Sequence, residues 1–135
     1  MSTDPTQKLR VLVVDDEPDT RQFIIRVLKS AGCEVRAAAD GEQALIEAID
    51  FQAEVVFLDV AIPLQYGWLV CAKLKLVEPS PIVVLMTGLD CDDLSSFSEF
   101  VKADDVLRKP FSAEDVLPGP AHTKSFCRIG FRRGR

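Results

Sequence analysis

Histidine, tyrosine and tryptophan occur once each in the 135 residues, and the four cysteines (Cys33, Cys71, Cys91, Cys127) stand far apart. That scatter excludes a Cys/His zinc site and a CxxC redox pair, and reads as reduced thiols of a cytoplasmic protein. The single histidine, His122, has no acidic or nucleophilic partner nearby in sequence and receives no role. Glycine is sparse too: its seven copies form neither GxGxxG nor GxxxxGK[ST], so no phosphate-cradling loop is expected. No apolar run approaches the roughly 20 residues of a membrane span. Met1 to Thr6 contains no basic stretch leading into an apolar one, so no secretory leader is expected.

Charge is divided unevenly. Residues 1–117 hold all 21 acidic residues and 11 of the 16 basic ones, a net −10, whereas residues 118–135 hold the other five basic residues and no acid. An acidic body is unsuited to direct nucleic-acid binding by the folded part. The length and the 47% hydrophobic content suit one soluble domain with a real core.

Three short runs dominate the pattern: Val11 to Val14, Val55 to Leu58 and Ile82 to Met86. They are rich in β-branched residues and nearly continuous, as strands buried on both faces are. Weaker runs at Glu34 to Ala38 and Asp104 to Leu107 suggest edge strands. Between them lie helical stripes. Phe23, Ile24, Val27, Leu28 and Ala31 share one face, with Pro18 in the first turn and Gly32 as the stop. Ala44, Leu45, Ala48 and Ile49 form a second stripe; Leu69, Val70, Lys73, Leu74 and Val77 a third; Leu94, Phe97 and Val101 a fourth. Alternating strands and helices of this length predict right-handed crossovers and a doubly wound α/β sandwich with a five-stranded parallel sheet. Ligands of such sheets bind beyond the carboxyl ends of the strands, at the switch point in strand order.

Asp15 and Asp16 follow the first strand, Asp59 the third, Thr87 the fourth and Lys109 the fifth. Any one of them alone reads as a turn residue, a helix start or a surface charge. Together they put three acids, a hydroxyl and an ammonium at one edge of a parallel sheet. Clustered carboxylates repel one another, and a divalent cation such as Mg²⁺ relieves the repulsion. An aspartate beside that cation can attack phosphorus, with lysine and threonine neutralising the phosphoryl oxygens.

Val11-Leu12-Val13-Val14-Asp15-Asp16-Glu17-Pro18, Leu58-Asp59-Val60-Ala61-Ile62-Pro63 with Gly67, Met86-Thr87-Gly88 and Lys109-Pro110-Phe111 together resemble the receiver domain of two-component response regulators. The resemblance covers about residues 8–117. It implies a flavodoxin-like fold with strand order 2-1-3-4-5. It also implies phosphorylation of Asp59 by a sensor histidine kinase or phosphotransfer protein. Mg²⁺ would be held by Asp15, Asp16, Asp59 and the backbone carbonyl of Ala61. Thr87 and Lys109 would contact the phosphoryl group, and the Lys109–Pro110 peptide would be cis. The implied role is a signalling switch that catalyses its own phosphorylation, not a metabolic enzyme. An aspartyl phosphotransferase of another α/β family is the alternative, although Ala61 stands where such enzymes carry a second acid. A receiver used only as an interaction scaffold is a third reading.

The chain departs from the family in places. Val106 stands where an aromatic residue is usual three positions before the lysine, so altered coupling to the surface is expected. Tyr66 replaces a frequent Asp and Lys102 a frequent Gly. Ser112 should cap a fifth helix, which Pro118-Gly119-Pro120 would stop after about one turn, leaving it incomplete. The expected organisation is therefore a tail (1–7), the receiver (8–117) and a basic tail (118–135). That basic tail reads as sequence foreign to the domain or as a linker to an output partner. The face normally under the fifth helix would then need another cover, either Phe126, Ile129 and Phe131 or a second chain in a homodimer.

Overall fold

The computed structural model describes residues 8–60, 67–88 and 102–116. Five strands, β1 (Arg10–Val14), β2 (Glu34–Ala38), β3 (Val55–Asp59), β4 (Ile82–Thr87) and β5 (Asp105–Arg108), form one parallel sheet in the order β2-β1-β3-β4-β5. The three apolar runs are its three central strands. The side-chain alternation of a strand sends Val11, Val13, Phe57, Val84 and Met86 to one face and Leu12, Val14, Leu58, Val83 and Leu85 to the other. All ten are fully buried, which explains why the runs do not alternate in polarity.

Helix α1 (Pro18–Ser30) covers the first face with Ile24 and Leu28. It ends in a Schellman motif: Gly32, at φ 88°, donates its N–H to Lys29, and Cys33 donates to Leu28. Helices α2 (Gly41–Phe51) and α3 (Gly67–Leu74) cover the second face. Asp40 caps α2 by accepting the Gln43 N–H at 2.8 Å. The buried stripe of α2 is Gly41, Ala44, Ala48 and Phe51. Ile49, expected inside, is 59% exposed, and on α3 Leu69 is likewise exposed. In both places a small or shorter residue on the neighbouring row fits against the sheet.

The helix expected after Ser112 begins as α4 (Ala113–Val116). Its Val116 is buried, as are Val84 and Leu107 on the same face. The stripe around Leu94 to Val101, the tail after Val116 and residues 1–7 lie outside the described residues. No helix among the described residues is long and apolar enough to cross a membrane. Of the cysteines, Cys33 and Cys71 are buried, and burial pushes their thiols up to about 11 and about 12 respectively. Raised thiols of this kind carry little thiolate at neutral pH.

Two backbone positions are constrained, one at a departure noted above and one at a matching glycine. Lys102, where Gly is frequent in the family, adopts φ 64°, the left-handed conformation that favours glycine. Gly67 opens α3 so close to β3 that a Cβ there would lie 2.4 Å from Val60 Cα and 2.6 Å from the Asp59 carbonyl oxygen. Only a hydrogen fits, and the Gly67 N–H donates to Val60 O at 3.0 Å. Gly67→Ala should therefore force α3 away from the Asp59 strand end and cost about 1–3 kcal/mol, read as a lower urea midpoint.

Candidate functional site

The strand order reverses between β1 and β3: the chain moves outward from β1 to β2, then returns past β1 to β3. Crossover helices diverge there and leave a crevice at the carboxyl ends. Asp15 lies one residue beyond β1, and Asp59 is the last residue of β3. Asp59 pairs in register with Met86, which puts Thr87 one residue farther along the neighbouring strand. Thr87 accepts the Lys109 N–H through its carbonyl at 2.7 Å, which fixes the start of the β5 loop beside it.

Carboxylate oxygens of Asp15, Asp16 and Asp59 all lie within 4.8 Å of one another. The Lys109 Nζ donates to Asp15 Oδ2 and to Asp59 Oδ2, both at 3.0 Å. The three acids singled out from sequence thus lie together, Lys109 bonds two of them, and Thr87 is tied to Lys109 through the backbone. Asp15 and Thr87 are fully buried and Asp59 is nearly so, while Asp16 faces solvent. Ala61, the expected carbonyl ligand, falls outside the described residues. The Lys109–Pro110 peptide is cis.

Electrostatics follow from this burial. Desolvation raises the Asp15 carboxyl above the usual carboxylate range and the Asp59 charge adds to that, against the Glu17 N–H bond and Lys109. Burial by itself would lower the Lys109 ammonium. Its hydrogen bonds to Asp59 and Asp15, and their charges, outweigh that and raise it above an ordinary lysine. One ammonium thus faces three acids. Such a set of hard oxygen donors fits a hard divalent cation, not a thiophilic one.

Sequence reasoning passed over Arg21. Its Nη1 donates to the backbone carbonyl of Asp15 at 2.7 Å, from a helix position six residues on. A bond from a long side chain back to a main-chain oxygen leaves no spacing signature. Beside the acids, Glu17, Thr20, Phe23, Lys109, Pro110 and Phe111 line an open cleft between α1 and the β5–α4 loop. Val106, on β5 opposite Leu85, is half-buried against the apolar cluster on the sheet face covered by α2 and α3.

Comparison with known proteins agrees with this arrangement. Residues 11–118 match the family model of the response regulator receiver domain. Protein PilG of Pseudomonas aeruginosa is 33% identical over 125 residues, covering 90% of this chain and 92% of PilG. The DNA-binding response regulator MtrA of Mycolicibacterium smegmatis is 33% identical over 112 residues; the match takes in 83% of this chain but only 49% of MtrA, about half its length. Among solved structures, the chemotaxis response regulator CheY4 of Vibrio cholerae superposes with a TM-score of 0.79 at 28% identity, over 91% of this chain and 99% of CheY4. The BeF3-activated receiver domain of DrrB gives 0.75 at 28% identity, over 96% of this chain and all of that one. With its parallel sheet in the order 2-1-3-4-5 and these relatives, the chain belongs to the response regulator receiver domain family.

Proposed function

We propose that Asp59 accepts a phosphoryl group from a phosphohistidine of a sensor histidine kinase or phosphotransfer protein, and that this switches a protein-interaction surface. Asp15, Asp16, Asp59 and the backbone carbonyl of Ala61 would hold Mg²⁺. The observation that carries the proposal is the Lys109 ammonium bridging Asp15 and Asp59 beside a third carboxylate. The likeness to a DrrB receiver domain in a BeF3-activated form supports the same chemistry.

Asp59 ends its strand with its carboxylate at the crevice, oriented by Lys109. A carboxylate oxygen attacks phosphorus as the phosphorus–nitrogen bond of the donor breaks. The leaving imidazole keeps the electron pair and takes a proton. Mg²⁺ held by these acids would supply positive charge to the phosphoryl oxygens. Lys109, raised in pKa, remains an ammonium at neutral pH and follows the charge from carboxylate to phosphoryl oxygen. The Thr87 hydroxyl donates to another oxygen. The cleft flanked by Glu17, Phe23 and Phe111 gives a donor access from the side of α1.

The direct test is intact-protein mass spectrometry after incubation with acetyl phosphate and MgCl₂. One phosphoryl adduct is expected, abolished by EDTA and by Asp59→Asn, and formed on the order of 10²-fold more slowly by Lys109→Ala. An adduct of undiminished yield in Asp59→Asn would overturn the assignment.

A second test concerns stability. A folded-state pKa raised above the unfolded value means that stability falls as pH rises from the unfolded pKa through the folded one. The ionised Asp15 is therefore a cost at neutral pH in the absence of metal. Asp15→Asn should raise the urea midpoint at pH 7 in EDTA. MgCl₂ should stabilise the wild type but leave the variant nearly unmoved.

Val106 offers no ring to change rotamer when Thr87 shifts, so the signal reaching the outer surface of β5 should be small. Phosphorylation should move amide chemical shifts at Asp59, Thr87 and Lys109 strongly and those of residues 102–108 weakly. A large change around Val106 would contradict this.

A further inference from the structure

We propose that Arg21 is a positioning residue for the acidic site, acting on Asp16 through the Asp15–Asp16 peptide. The inference rests on the metal-binding reading above. Successive residues of a strand point to opposite faces, so adjacent Asp15 and Asp16 can share one site only if the chain turns between them. It does turn there. The Asp15 N–H still donates to Ala38 O at 3.2 Å, continuing the β1–β2 ladder, but the β1–β3 register ends at Val14 opposite Leu58. Beyond that point the Asp15 carbonyl has left the sheet. Among the described residues its donor is Arg21 Nη1, at 2.7 Å.

Three further bonds make the connection a short, closed unit. Asp15 Oδ1 accepts the Glu17 N–H at 2.9 Å. The Arg21 N–H donates to Glu17 O at 3.0 Å, within the first turn of α1. The Thr20 hydroxyl donates to Glu17 Oε1. Arg21 is thereby fixed at its backbone by the helix and at its guanidinium by the strand end. The peptide it grips is the one that carries Asp16. Asp16 is exposed and among the described residues has no bonded lysine, so it depends on that peptide for its direction, whereas Asp15 and Asp59 are held by Lys109.

Two physical effects of Arg21 have opposite signs, which makes the proposal testable. As a bare charge near the site, the guanidinium repels a cation, and its removal would tighten metal binding. As an orienting group it aims Asp16, and its removal would weaken binding, typically tenfold or more for a residue behind a ligand.

The experiment is calorimetric titration of the full chain with MgCl₂. Arg21→Gln should raise the Kd about tenfold, with Arg21→Lys in between and Arg26→Gln, on the exposed side of the same helix, unchanged. In an Asp16→Asn background, Arg21→Gln should add almost nothing, because the ligand it acts through is gone. An unchanged or tighter Kd in Arg21→Gln overturns the proposal. So does an equal weakening in the Asp16→Asn background, which would signal general loosening of the fold. If Arg21→Gln does not fold, Arg21→Lys carries the test by the same criteria. A wild type that binds no Mg²⁺ sinks the metal-binding reading itself, and the inference with it.

Discussion

Three carboxylates within 4.8 Å of one another, two of them buried, face a single ammonium. This excess of like charge is the constraint on which the rest of the structure depends. A loose surface would disperse it. Here the acids are held together, because Asp15 and Asp16 follow β1 and Asp59 ends the neighbouring β3 of a rigid parallel sheet. The twelve fully buried hydrophobic residues of β1, β3 and β4 fix those ends with packing on both faces. The core thus offsets an electrostatic cost that is localised at one edge. Gly67 is part of the same device, since the approach of α3 to the Asp59 strand end leaves no room for a side chain.

Much of this was legible in sequence because it depends on local chemistry. Continuous β-branched runs mark strands covered on both faces, and Asp15, Asp59, Thr87 and Lys109 stand where those runs stop. The parallel topology then requires their convergence. The helices were less legible at their margins. Ile49 looked like a core residue by spacing, but the stripe of α2 is set by Ala44, Ala48 and Phe51, whose sizes suit the gap above the sheet. Which of two adjacent apolar rows faces inward is decided by shape, not by period. Lys102 shows the converse: the family resemblance marked it as a departure from glycine, and it adopts the left-handed backbone that favours glycine. Arg21 left no trace in the pattern, because a side-chain bond to a carbonyl six residues away needs the turn at Asp15 to exist first.

On the proposed reading, charge bookkeeping at the site explains why phosphorylation should alter the protein at all. Three carboxylates and one ammonium leave two negative charges in excess, which a divalent cation cancels. Converting Asp59 to an acyl phosphate replaces one carboxylate charge with about two. The site then carries a new negative charge in a buried setting. Positive or donor groups must close on it; on this reading these are Lys109, already bonded to Asp59, and the Thr87 hydroxyl. These two are not independent: the Lys109 N–H is bonded to the Thr87 carbonyl at 2.7 Å. A shift of either therefore displaces the end of β4 and the β5 loop together. Val106 lies on β5 three residues before Lys109, opposite Leu85 and packed against the apolar cluster under α2 and α3. A valine so held can follow a small backbone displacement, but it cannot turn that displacement into a large change of exposed aromatic area. The device that gathers the charge and the device that broadcasts it are thus physically separable. On the proposed reading the first has Asp15, Asp16, Asp59 and Lys109 gathered, and the second would work through backbone movement.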